Sequence, residues 1–188
     1  MAHHRRTRAE INLKAFKHNL QNLKTALGSK TEIMAIVKAD AYGHGALPCA
    51  KTAIESGVGY LGAGVIEEGI ELRKNGIKDP VLILGGIFAD EVADLVHHNL
   101  STILSTSHLA EALSREGKKQ GKTVNIHIKI DTGMNRLGVY PEDLLALTEK
   151  IGSLPNLKIE ALSTHFSSAD DEDLSITNQQ IELFKKAL

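Results

Sequence analysis

The hydrophobic period of this chain switches repeatedly between helix and strand spacing, and that switching limits its fold more than any other feature. Apolar residues recur at helical spacing at Phe16, Leu20, Leu23 and Leu27, and Gly28 follows as a stop. A compact apolar run over 33–37 then reads as a strand. The alternation continues with helix 47–56 closed by Gly57, strand 60–65, helix 67–75 closed by Gly76, and strand 81–84 after Pro80. Beyond these come helix 90–98, strand 102–104, helix 108–119 and strand 124–130. Helix 141–151 with Pro141 at its start, strand 157–166 and helix 176–188 complete the pattern. Strands separated by helices pair in parallel, because a parallel connection needs a crossover long enough to hold a helix.

About six such units fit either a (β/α) barrel or an open doubly wound sheet. The strand 124–130 and the residue after it favour the barrel. Val124, Ile126, Ile128 and Ile130 share one face, while Asn125, His127, Lys129 and Asp131 share the other. An open sheet covered by helices on both sides needs two apolar faces, whereas a barrel strand can carry polar groups inside near its mouth. The expected fold is therefore α/β, of the (β/α)8 TIM-barrel type, incomplete at about six βα units. Residues 9–13 alternate weakly and are expected to add a strand outside the barrel. Residues 1–8, which hold Arg5, Arg6 and Arg8, are expected to be a disordered tail.

Composition narrows the function classes. A net charge of −1 gives no global attraction for nucleic acid or anionic membrane. No apolar stretch approaches the ~18 residues of a membrane span. The arginines near the start lack the apolar run that an export signal needs. A cytoplasmic location is expected. Cys49 is the single cysteine and reads as a small core residue of a helix. Gly62-Ala63-Gly64 lacks the third glycine of a dinucleotide fingerprint and reads as close packing at a strand end. No histidine spacing makes a metal site, His127 included.

Lys38 follows the apolar strand on the face shared by Met34 and Ile36, which places it at the mouth of a barrel. A neutral lysine amine there forms a Schiff base with an aldehyde. The residues around it are Ala35-Ile36-Val37-Lys38-Ala39-Asp40-Ala41-Tyr42-Gly43-His44-Gly45. This run resembles the signature of the alanine racemase family, fold-type III enzymes that use pyridoxal 5′-phosphate. Ala9-Glu10-Ile11-Asn12-Leu13, with Phe16 and His18-Asn19-Leu20, is similar to the family's opening. Lys129-Ile130-Asp131-Thr132-Gly133-Met134-Asn135-Arg136-Leu137-Gly138 is similar to its second hallmark, and Thr164-His165-Phe166 to its third.

The resemblance implies roles. Lys38 is expected to hold the cofactor covalently and to act as a base on one face of the substrate. Tyr42 is expected near the cofactor phosphate. Arg136 is expected to serve the cofactor's phenolic oxygen and the substrate carboxylate. Lys129 is expected to position Arg136 and to be open to carbamylation, and His165 to support the cofactor ring from behind. Lys38, Arg136 and His165 are thus the expected catalytic residues. The implied substrate is alanine, the implied product supplies D-alanine for peptidoglycan, and the implied assembly is a homodimer. The family also carries a C-terminal β domain with a tyrosine base for the opposite face, so the chain is expected to be inactive alone. Two other readings stay open: a non-catalytic pyridoxal-phosphate-binding barrel, and a racemase of broader amino-acid specificity.

Overall fold

The computed structural model describes residues 7–188. The expectation of a disordered tail falls largely outside the described residues. Residues 9–12 form no strand. They lead into α1 (Leu13–Leu27), because the Asn12 side chain accepts the Ala15 N–H at 3.0 Å and caps the helix there. Local polar capping thus overrides a weak alternating pattern.

Six strands follow, each leading into helical structure: β1 (Met34–Ile36), β2 (Tyr60–Ala63), β3 (Val81–Ile83), β4 (Ser101–Leu104), β5 (Val124–Lys129) and β6 (Leu157–Ser163). They pair in parallel in the order β1-β2-β3-β4-β5-β6. The helices between them are α2 (Lys38–Gly43), α3 (Ala46–Glu55), α4 (Ile66–Lys74), α5 (Val92–His97), α6 (Ser107–Gln120) and α7 (Leu144–Gly152), and α8 (Ser175–Ala187) follows β6. A strand order that never reverses is that of a barrel wall, whereas a doubly wound sheet reverses at a switch point. The expected barrel architecture is therefore observed. β1 and β6, the two ends of this order, do not pair with one another.

Alternation along the strands sorts the side chains. Leu61, Ala63, Val81, Ile83, Ile126, Ile128 and Ile130 are fully buried, in one core with Ala50, Ala53, Leu95 and Leu113 of the helices. Cys49 is buried in α3, as expected. Gly62 lies opposite that face, where a Cβ would come within 2.7 Å of Ile36 Cδ1 and 2.9 Å of Leu84 Cδ1. The glycines of this strand serve packing, as the sequence suggested. Several expected boundaries shift, and two bear on the site end. The helix foreseen at 90–98 starts at Val92, and the strand foreseen to 166 stops at Ser163, so His165 sits in a loop.

Candidate functional site

Because all six strands run the same way, the loops after β1, β2, β5 and β6 share one end of the sheet. The loop after β1 has an unusual backbone. Ala39, Asp40, Ala41 and Tyr42 all have φ between 50° and 55°. A left-handed turn costs roughly 1–2 kcal/mol per non-glycine residue, so it persists only if its surroundings hold it. Several contacts do. The Ala41 N–H donates to Val37 O at 2.9 Å, Gly45 N–H to Asp40 O at 2.9 Å, and Ala46 N–H to Asp40 Oδ1 at 2.6 Å. Glu68 at the start of α4 joins two loops, accepting Ala39 N–H on Oε1 and Gly64 N–H on Oε2, both at 2.6 Å. Gly64 lies close against the lysine, since a Cβ there would come within 3.2 Å of both Lys38 Cβ and Glu68 Oε2. The turn brings Tyr42 back toward the lysine, with Lys38 Nζ 5.8 Å from the ring centroid.

The loop after β5 is held from within. Val139 N–H donates to Lys129 O at 2.8 Å and Asp131 N–H to Val139 O at 2.9 Å. The Asp131 carboxylate accepts Gly133 N–H at 2.9 Å and Asn135 N–H at 3.1 Å. Gly138, at φ 141°, permits the close return, because a Cβ there would lie 2.5 Å from Asp131 N. The result presents Arg136 above Lys129. Burial pushes the Lys129 amine below the ordinary lysine value, Arg136 pushes it further, and Asp131 opposes both.

His165 comes from the loop after β6. Its imidazole is held below the ordinary histidine value by burial first, then by Lys129, Arg136 and Lys38. Those causes place four of the five expected site residues within one electrostatic neighbourhood, and Tyr42 adjoins it through Lys38. Among the described residues, no ion pair neutralises Lys38, Lys129 or Arg136. Three cations without a counterion suit an anionic guest, and a phosphate with a carboxylate would match that charge. The donor set therefore fits pyridoxal 5′-phosphate, with Lys38 as the amine for its aldehyde.

The opposite end of the inner face holds a different cluster. Tyr60 donates to Glu160, and the buried His127 sets Nε2 3.7 Å from Glu160 Oε2 without a hydrogen bond. Burial, followed by Glu160, pushes the Tyr60 phenol well up; burial pushes His127 down against the pull of Glu160. Sequence reading missed Glu68 and Gln180, which touch the site loops through hydrogen bonds only. Glu68 carries a weak signal as an acidic residue in the first turn of a helix, three residues after its N-cap.

The family described as alanine racemase, N-terminal domain, matches residues 11–188. An alanine racemase of Halothermothrix orenii is 42% identical over 184 residues, covering 98% of this chain and 48% of its own length. The structure of alanine racemase from Clostridium difficile 630 in complex with cycloserine superposes with a TM-score of 0.91 at 34% identity, covering 94% of this chain and 49% of that one. A histidine racemase from Leuconostoc mesenteroides superposes with a TM-score of 0.89 at 29% identity, covering 98% of this chain and 50% of that one. The chain spans about half the length of the curated relatives it matches.

Glu68 yields a direct test of how the lysine is held. In Glu68→Gln, one end of the amide must turn an N–H toward either Ala39 N–H or Gly64 N–H, and that bond is lost. The variant is expected to lose about 1.5–3 kcal/mol of stability in urea unfolding, with faster hydrogen exchange at Ala39 or Gly64. Unchanged unfolding and unchanged exchange would refute the clamp.

Proposed function

Since the chain belongs to the alanine racemase N-terminal domain family, we propose that it forms the cofactor-holding barrel part of a pyridoxal-phosphate-dependent racemase that interconverts L- and D-alanine. The observation that carries this reading is the meeting of three basic side chains, Lys38, Lys129 and Arg136, at the shared strand end beside His165, with no ion pair to any of them among the described residues. When bound, pyridoxal 5′-phosphate supplies the electron sink that makes the substrate α-proton removable.

The chain's own residues take the remaining tasks. Lys38 Nζ would hold the cofactor covalently and, once the substrate amine has displaced it, would take or return a proton at one face of the α-carbon. Tyr42, 61% exposed and turned toward Lys38 by the left-handed backbone, serves the phosphate. Arg136 orients the substrate carboxylate and the cofactor's phenolic oxygen. Lys129 positions Arg136. Its lowered pKa leaves more neutral amine to take up carbon dioxide, and loss of one proton then yields a carbamate anion to pair with Arg136. His165 supports the ring, its imidazole held below the ordinary histidine value by burial first and then by the basic groups around it.

The family resemblance supports a cytoplasmic homodimer that supplies D-alanine for peptidoglycan. A racemase of broader specificity is a second reading, favoured by the likeness to a histidine racemase.

Borohydride reduction in the presence of pyridoxal 5′-phosphate, followed by peptide mapping, tests the assignment. A pyridoxyl group is expected on Lys38. Label on other lysines with none on Lys38 would overturn it.

A second prediction concerns Met1–Leu188 as a separate polypeptide. Racemisation needs proton-transfer groups on both faces of the α-carbon. Lys38 serves one. Tyr60 is committed to Glu160 at the far end, and Tyr140 is 54% exposed beyond the loop after β5. No D-alanine above the Lys38→Ala control is expected from L-alanine at saturating cofactor. Lys38-dependent turnover by homogeneous 188-residue protein would contradict it.

A further inference from the structure

Gln180 is the one large polar side chain among the most deeply buried residues, at 1% exposure on α8. A buried primary amide is costly unless its two donors and its acceptor oxygen are used. Here all are used. Nε2 donates to His165 O at 3.0 Å and to Thr132 Oγ1 at 3.2 Å. Oε1 accepts Ser167 N–H at 2.9 Å and the Ser167 hydroxyl at 3.2 Å. The amide orientation is fixed by these partners. Reversed, it would set a carbonyl against His165 O and an N–H against Ser167 N–H.

The partners belong to two different site loops. His165 and Ser167 follow β6, and Thr132 lies four residues before Arg136 in the loop after β5. Thr132 Oγ1 and Thr164 Oγ1 also meet at 2.7 Å, and the Thr164 hydroxyl reaches Ile130 O at 3.0 Å. Residues 165–167 are thus gripped at a carbonyl and an N–H by one side chain, which fixes the direction in which the imidazole leaves the backbone.

We propose that Gln180 is a positioning residue that locks the His165 loop to the Arg136 loop and so holds the imidazole at the cationic end of the sheet. The use of that placement rests on the cofactor-binding reading above; the lock itself does not. A polar residue that only anchored α8 would affect stability and leave His165 in its present field.

The test follows the His165 imidazole by NMR titration of the 188-residue chain without cofactor, in the parent, Gln180→Met and Thr132→Val. Methionine keeps the length and removes the four bonds. Valine keeps the shape at 132 and removes the hydroxyl link between the loops. Burial at this place, and then Lys129, Arg136 and Lys38, hold the His165 pKa down. Freed from them, it is expected to rise toward the ordinary value in Gln180→Met, and in the same direction but less in Thr132→Val. His127, at the far end, is the internal control and is expected not to move. His165 titrating as in the parent in folded Gln180→Met would overturn the proposal. If Gln180→Met does not fold, an unmoved His165 in Thr132→Val overturns it equally. Neither result depends on cofactor, so failure here is distinct from failure of the Lys38 labelling.

Discussion

Mutual repulsion at one end of the sheet is the constraint on which the rest of the site depends. Lys38, Lys129 and Arg136 come from three separate stretches of chain, yet each bears on the same imidazole. At an effective dielectric of about 20, two unit charges ~6 Å apart repel by about 3 kcal/mol. Nothing local offsets this with a carboxylate ion pair. The carboxylates near the site are spent on backbone N–H groups instead: Glu68 on Ala39 and Gly64, Asp40 on Ala46, Asp131 on Gly133 and Asn135. They hold the loops in place and leave the positive charge available to a guest.

The contrast within the inner face sharpens the point. Tyr60, Glu160 and His127 form a closed polar group at the opposite end, where the acid already has a donor. Parallel pairing keeps the two ends apart, because every strand enters at the Tyr60 end and leaves at the Lys38 end. The sheet sets which end carries the chemistry, and the loop clamps set the geometry within that end.

Much of the fold was legible in the sequence because periodicity reports burial directly. The alternation of Val124, Ile126, Ile128 and Ile130 identified a strand with one buried face, and all four are buried. Ala9–Leu13 misled because a few alternating residues carry less information than one capping asparagine. The left-handed turn was invisible: Ala39, Asp40, Ala41 and Tyr42 include no glycine, and their positive φ is imposed by tertiary contacts. The candidate site residues lie in motifs contiguous in sequence, and the structure brings Lys38, Lys129, Arg136 and His165 into one neighbourhood. Gln180 was not legible, because its partners lie 13 to 48 residues away and an isolated glutamine in a helix carries no periodic or charge signal.

If the strand end that carries Lys38, and not the Tyr60 end, receives an anionic cofactor, backbone amides followed by NMR while pyridoxal 5′-phosphate is added should report it. Shifts are expected at Lys38, Gly64, Arg136 and His165, with Tyr60, His127 and Glu160 unmoved. Shifts confined to the Tyr60 end, or saturation of binding with Lys38 and Arg136 silent, would contradict it.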